Sequence, residues 1–311
     1  MSDDTTLGPG KEFDLVRALE ERWGDAAHGI GDDAALLDVP DGRQLVVSAD
    51  SSVDGVHFRR EWLTPREIGW RAAAAALSDL AAMAADPLAM LVSLSIPDTW
   101  LNDILDVADG IGDAARTAGA HIAGGDLTSA HELCIAITVL GATADPIRRS
   151  GARPGDLLYV TGRFGGPLSA LRAYKSGTQP ADEIRHRFAH PVPRLREARW
   201  LAEHGVHAAI DVSDGLLSDA AHIAAASRAR LAIALDELPT LGGLSPDEAA
   251  RSGEEYELIV ASPREIDVAD FARRFDIPLT EIGRVEAGDA EVIATLRDAR
   301  VAPGGGFDHF S

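Results

Sequence analysis

The stretch Ser48-Ala-Asp-Ser-Ser-Val-Asp-Gly-Val-His57 gathers hydroxyls, two carboxylates and an imidazole. It follows Gln44-Leu-Val-Val47, which reads as a strand, so the reactive groups fall at a strand's C-terminal end. Residues two apart in a strand point to one face, and Ser48 and Asp50 can therefore serve one site. Upstream, Gly29-Ile-Gly-Asp-Asp33 is a Gly-rich turn carrying Asp32 and Asp33. Further acids stand at Asp54, at Asp79, in Gly124-Gly125-Asp126, and at Asp211 and Asp214 in Ile210-Asp-Val-Ser-Asp-Gly215. Any one aspartate alone is most often a solvated surface residue or a turn former. Together, at strand ends and beside glycines, they suit hard cations and the phosphates such cations carry. Two like charges ~4 Å apart repel by about 4 kcal/mol at an effective dielectric near 20, so converging carboxylates require divalent cations to stay ionised. Mg2+ takes oxygen ligands and bridges to phosphates, which points to a nucleotide-phosphate site.

Two backbone features add to this. Gly124-Gly125-Asp126 reads as a turn after a short strand from His121, able to bring N–H groups close to a phosphate. Ser213-Asp-Gly opens a helix, where it is equally an ordinary N-cap. Other chemistries lack their signatures. There is no P-loop Gly-x-x-x-x-Gly-Lys-Ser/Thr, no Cys-x-x-Cys and no Gly-x-Ser-x-Gly. His186 and His190 have a helical i, i+4 spacing but no adjacent Glu, and Arg185 and Arg187 crowd them, so they read as a surface pair.

A chain of 311 residues with 46% hydrophobic and 25% charged content suggests a soluble protein of two domains. Asp and Glu outnumber Lys and Arg by 50 to 29, a formal charge of −21, which disfavours nucleic acid and anionic membranes as partners. The lone Cys134 permits no internal disulfide, and the polar, acidic N-terminus is no signal peptide, so a cytoplasmic location is expected. No apolar run approaches membrane-spanning length.

The elements that must position these residues follow from periodicity and caps. A helix is expected over 11–22 and a strand over 44–50. A second helix starts at Thr64-Pro-Arg-Glu67, a capping-box pattern, and runs to about Ala85, where Asp86-Pro87 stops it. Asp79 lies mid-helix beside the apolar stripe, unusual for a carboxylate without a partner. A strand at 90–96, a helix at 98–119 with Gly119 as C-cap, and a strand at 133–140 follow. The Pro/Gly-rich segment 144–156 marks a boundary between domains 1–145 and 146–311. The second domain is expected to hold strands at 157–161, 231–235, 256–261, 279–284 and 291–296, with 208–215 as a second acidic strand end. Its helices are expected at 166–177, 193–204, 216–228, 246–252 and 264–275. The mixture of strands and helices repeats in both halves.

The motifs Gly29-Ile-Gly-Asp-Asp-Ala-Ala-Leu36, Ser48-Ala-Asp50 with Gly55-Val-His-Phe58, Leu77-Ser-Asp-Leu-Ala-Ala-Met-Ala-Ala-Asp-Pro87, Gly124-Gly-Asp126, Arg149-Ser-Gly-Ala-Arg-Pro-Gly-Asp156, Ile210-Asp-Val-Ser-Asp-Gly-Leu216, Ser252-Gly-Glu-Glu-Tyr-Glu-Leu258 and Phe307-Asp-His-Phe310 occur in this order. Taken jointly, they resemble the thiamine-monophosphate kinase family, within the aminoimidazole ribonucleotide synthetase superfamily. The resemblance implies an α+β fold of two α/β domains of the aminoimidazole ribonucleotide synthetase type, with the N-terminal domain pairing across a homodimer. It implies ATP-dependent phosphorylation of thiamine phosphate to thiamine diphosphate. It assigns Asp33, Ser48, Asp50, Asp79, Asp126, Asp211 and Asp214 to several Mg2+ ions. Gly125, Asp126, Arg149 and Ser213 would hold ATP, and His57, Glu254 and Phe307 the thiamine phosphate. No side chain is expected to act as a catalytic base.

Some positions depart from the family pattern. Ala49 stands where Thr is usual, Ser252-Gly253 where Gly-Gly is usual, Glu255 where Asp is usual, and Phe307 where Tyr or Trp is frequent. Rival readings are another reaction of the superfamily, such as purine ribonucleotide ring closure, or a non-catalytic divalent-cation-binding protein. ADP release with Mg-ATP and thiamine phosphate separates them.

Overall fold

The computed structural model describes residues 11–27 and 37–302. The chain divides into two compact units, one of residues 1–80 and 85–144, the other of residues 145–311 with the short piece Ala81–Ala84.

The first unit contains α1 (Lys11–Trp23), β1 (Gln44–Val53), α2 (Pro65–Ala82), β2 (Asp86–Ile96), α3 (Ile104–Ala118), β3 (His121–Ser129) and β4 (Cys134–Thr143). The four strands form one sheet in the order β1-β4-β2-β3. β4 runs antiparallel to both neighbours, whereas β2 and β3 are parallel and need a crossover, which α3 supplies. Alternation sorts the residues. Met90, Val92, Leu94, Ile135, Ile137 and Val139 are buried, while Leu91, Ser93, Ala136, Thr138 and Leu140 on the other face are half-buried.

α2 and α3 approach each other through glycines. A Cβ on Gly69 would fall 1.9 Å from the Val107 carbonyl oxygen, and one on Gly110 would fall 1.9 Å from that of Arg66. No other residue permits so close a crossing. α2 opens with the expected capping box. The Thr64 N–H donates to Glu67 Oε2 at 2.9 Å, and the Glu67 N–H donates to Thr64 Oγ1 at 3.3 Å.

α2 ends at Ala82, before the expected stop. The Ala85 N–H bonds back to the Leu80 carbonyl and the Ala84 N–H to that of Ala81, with Ala84 left-handed at φ 50. This is a Schellman ending with Ala where Gly is usual, and Asp86-Pro87 opens β2 instead of terminating a helix. The expected Gly-Gly-Asp turn is also corrected, because β3 runs straight through Gly124, Gly125 and Asp126 to Ser129. A Cβ on Gly125 would fall 1.7 Å from the Val92 carbonyl oxygen, so the glycine lets β3 press against β2. The crowding coincides with a register shift at Met90/Leu91, which leaves Ala123 unmatched.

The second unit contains β5 (Leu157–Thr161), α4 (Gly166–Lys175), α5 (Asp182–Ala189), α6 (Leu195–Glu203), β6 (Ala208–Asp211), α7 (Leu216–Ser227), β7 (Arg230–Ala234), α8 (Pro246–Ala249), β8 (Leu258–Ser262), α9 (Val268–Phe275), β9 (Leu279–Glu286), β10 (Val292–Leu296) and β11 (Ala299–Val301). Its seven strands are ordered β11-β10-β7-β9-β5-β8-β6. Both faces are covered, which is why β5 and β8 are apolar almost throughout. Leu158, Val160, Ile210 and Ile259 pack with Leu216, Ala220 and Ile223 of α7. Tyr159, Ala209 and Val260 pack with Trp200 and Leu201 of α6 and Phe271 of α9.

The sequence gives no expectation of α5 or β11. The rings of His186 on α5 and His190 at its end stack with centroids 5.1 Å apart. Among the described residues, no helix is long and apolar enough to cross a membrane.

Candidate functional site

In the first unit, Ser48 and Asp50 share the helix-covered face of β1. The Ser48 hydroxyl donates to Asp79 Oδ2 at 2.5 Å, so the mid-helix carboxylate of α2 has its partner on the strand. Asp50 Oδ1 accepts from the Ser51 N–H at 2.7 Å. These three half-buried residues form one group.

Gly125 and Asp126 do not join it. Across the sheet, Asp50 stands opposite Ile137, Ile137 opposite Val92, and Val92 opposite Gly125. Three strand spacings separate the two edges, about 14 Å. Asp126 pairs with Ser93 and so points to the other face of the sheet, where it is exposed.

His57 closes the turn after β1. The Val53 N–H donates to its Nδ1 at 3.1 Å, which fixes the ring's place. Asp54 is engaged by the fold, with Oδ2 accepting from Trp100 Nε1 at 3.1 Å. Asp32, Asp33 and Phe307 lie outside the described residues.

In the second unit, β6 ends on buried Asp211 and α7 begins five residues later, at Leu216. The N–H groups of Ser213, Asp214 and Gly215 all donate to Asp219 Oδ2, at 3.0, 3.0 and 3.1 Å. An open loop at this place would offer those donors to a phosphate. Here a carboxylate of the chain already occupies them. Burial pushes the Asp219 carboxyl up to about 7, and the negative charges of Asp211 and Asp214 add to the effect. The loop is therefore an acidic, donor-saturated surface whose hard oxygens fit a divalent cation.

Beside it runs the segment 252–257. The Glu254 N–H donates to the Ser213 carbonyl at 2.7 Å, the Tyr256 N–H to the Val212 carbonyl at 2.8 Å, and the Val212 N–H to the Glu257 carbonyl at 2.8 Å. A Cβ on Gly253 would lie 2.7 Å from the Ser213 carbonyl oxygen. Asp211, Ser213, Asp214 and Glu254 are thus stitched into one patch. Glu254 and Tyr256 both have left-handed backbones, at φ 55 and 52. Such residues cost about 1–3 kcal/mol each and persist only where their surroundings over-determine them.

Beneath the segment, Glu257 is held by Arg194 (Nε to Oε2 2.7 Å, Nη2 to Oε1 2.5 Å), Arg187 (2.6 Å) and Thr161 (2.7 Å). Burial works to raise Glu257, but the two guanidinium groups hold it below the usual carboxylate range. Burial pushes Glu255 up to about 7 against the pull of Arg187.

Arg149 is not part of this patch. Its carbonyl accepts from the Ser227 hydroxyl at the last residue of α7, whereas Asp214 precedes the first turn. The twelve residues of α7 span about 18 Å between them. Among the described residues, no three acids or histidines meet as a metal-holding cluster. Within each unit the candidate residues fall into separate groups.

Asp219, Glu257 and Arg194 are given no role by the sequence, and Glu255 and Arg187 stand out there only as a departure from the family pattern and as a charge beside the histidine pair. Asp219 has a signal, a carboxylate inside the apolar run Leu216–Ala220, as does Glu257, set against the apolar strand β8. Arg187 and Arg194 have none, since their partners are set by tertiary packing.

The pattern of the AIR synthase related protein, N-terminal domain, matches residues 31–143, and that of the C-terminal domain matches residues 153–295. The thiamine-monophosphate kinase of Rhodopirellula baltica is 38% identical over 313 residues, covering 93% of this chain and 94% of its own. That of Escherichia coli is 34% identical over 322 residues, covering 96% of each. Among solved structures, the thiamine-monophosphate kinase of Stenotrophomonas maltophilia superposes with a TM-score of 0.81 at 34% identity, over 95% of this chain and 98% of that one. A structure described as AaThiL complexed with AMPPCP and TMP superposes at 0.77 with 26% identity, over 96% and 97%. A hydrogenase maturation protein HypE, at 21% identity and a TM-score of 0.81, shares the fold.

Proposed function

The chain belongs to the thiamine-monophosphate kinases of the AIR synthase-related superfamily and phosphorylates thiamine monophosphate to thiamine diphosphate at the expense of ATP; from that premise we propose how its residues serve the reaction. The transfer is direct and in line, from the γ-phosphoryl group of ATP to a phosphate oxygen of the acceptor. That oxygen is already ionised at neutral pH, so no side chain is needed to remove a proton, and no phospho-enzyme forms. The protein's task is to bring two polyanions together and hold them aligned.

The patch of Asp211, Ser213, Asp214 and Glu254 carries this reading. Asp219 has taken the N–H groups of Ser213, Asp214 and Gly215, so what the loop offers is the carboxylate oxygen of Asp211 and Asp214 to cations and not N–H to phosphate. Asp33, Ser48, Asp50, Asp79 and Asp126 are assigned to the same role. Bound Mg2+ would supply neutralisation of the charge on the phosphoryl oxygens. Gly125, Asp126, Arg149 and Ser213 hold ATP. Glu254, with His57 and Phe307, receives the thiamine phosphate, the carboxylate facing its cationic thiazolium and amino groups and Phe307 stacking on a ring.

The first unit pairs with a second copy. Asp50 and Asp126 stand at opposite sheet edges, too far apart to serve one ion within one chain. Leu45 and Val47 are 47% and 55% exposed on the open face of β1, apolar surface that a partner copy would cover. ADP release with Mg-ATP and thiamine phosphate tests the assignment. Asp211→Asn and Asp214→Asn should each abolish most of that release, and full activity in both would remove these carboxylates from the site.

A further inference from the structure

The two left-handed residues of the Glu254–Tyr256 segment need something to hold them. On the outer side the segment is bonded to Val212 and Ser213. On the inner side it meets an ionic knot of Glu255, Glu257, Arg187 and Arg194. The carboxylates of Glu255 and Glu257 are both buried. One nitrogen of Arg187, Nη2, donates at 2.6 Å to the Glu255 carbonyl oxygen and at 2.6 Å to Glu257 Oε1. That one nitrogen ties the main chain of the segment, between its two left-handed residues, to the charge fixed by Arg194 and Thr161. Glu255 Oε1 adds a second anchor, accepting from the Gly165 N–H at 2.6 Å.

We propose that Arg187 is a positioning residue for substrate: it locks the 254–256 segment in its left-handed form and thereby sets where Glu254 meets the thiamine moiety. This rests on the reading that Glu254 contacts thiamine phosphate. The arginine touches no substrate. The two hydrogens of Nη2 are fixed in the guanidinium plane, so the carbonyl and the carboxylate are held in set directions, which an ammonium on a flexible stem does less well.

The test uses the full-length protein with Arg187→Met, Arg187→Lys and Glu254→Gln. Amide hydrogen exchange at Glu254 and Tyr256 reports the lock, since both N–H groups are bonded only while the segment keeps its form. In Arg187→Met, exchange at these two amides should rise at least tenfold. KM for thiamine phosphate should rise about tenfold, while KM for ATP stays within twofold. Arg187→Lys should lie between the variant and the parent, and it carries the same measurements if Arg187→Met does not fold. Unchanged exchange at both amides, or equal rises in the two KM values, would overturn the proposal. Glu254→Gln tests the underlying reading separately. If it leaves KM for thiamine phosphate unchanged, Glu254 is not a substrate contact, whereas faster exchange in Arg187→Met would still establish the lock.

Discussion

Glu255→Gln should make the protein more resistant to heat at alkaline pH and leave it little changed near pH 5. Glu255 is fully buried, and one of its oxygens, Oε2, has no hydrogen-bond partner. Burial lifts its folded-state pKa from the ordinary 4.5 to about 7. The folded protein thus keeps a proton that the unfolded chain has already released. Stability linked to this group is fully present below pH 4.5 and is lost as pH rises through about 7. At about 1.4 kcal/mol per pH unit, the loss amounts to about 3 kcal/mol. Glutamine stays neutral throughout and keeps an oxygen for the Gly165 N–H. The stability of the variant relative to the parent should therefore climb by about 3 kcal/mol between pH 5 and pH 8. For a unit of this size each kcal/mol moves Tm by about 2–4 °C, so the gap in Tm should widen by roughly 6–12 °C. Thermal melts of both proteins across that range, read as differences so that shared titrations cancel, measure it. A Tm difference that stays constant with pH, or widens in the parent's favour, would refute the reasoning.

Three further outcomes are expected. Asp219→Ala leaves three N–H groups at the head of α7 without their acceptor; it should destabilise the second unit by about 3 kcal/mol or more in urea unfolding and raise the Mg2+ concentration needed for half-maximal activity. Gly110→Ala forces a methyl group to 1.9 Å from the Arg66 carbonyl and should lower stability by about 1–3 kcal/mol, measured by calorimetry, because the two helix backbones must separate. Asp50→Asn and Asp126→Asn, each inactive alone, should regain about a quarter of parental activity when the two proteins are unfolded together and refolded, since a random mixture of two-fold dimers leaves one intact composite site in half of them; no recovery would mean that the two acids serve one chain.

How far the sequence could be read depended on the range of the forces involved. Caps and periodicity are local, so the capping box at Thr64–Glu67, the C-cap at Gly119 and the helix after Gly215 are all where the residues imply. The partnership of Asp79 was half legible: a carboxylate on an apolar stripe announced a partner without naming Ser48. Asp86-Pro87 has the form of a stop signal, yet α2 ends earlier because hydrogen bonds around Ala84 close the helix first. The Gly-Gly-Asp segment looked like a turn because glycine more often marks one. Only the sheet shows that Gly125 is needed for a close approach to Val92. The knot around Glu257 was invisible, because Arg187 and Arg194 lie 70 and 63 residues away from it in the chain.

The saturation of the loop before α7 bears on inhibitor chemistry. A compound built around a sulfonate or phosphonate, intended to sit on main-chain amides at the head of that helix, would find them already satisfied and an acidic surface in front of them. Under the cation role proposed for Asp211 and Asp214, chelating scaffolds such as hydroxamates or vicinal diols are the better match.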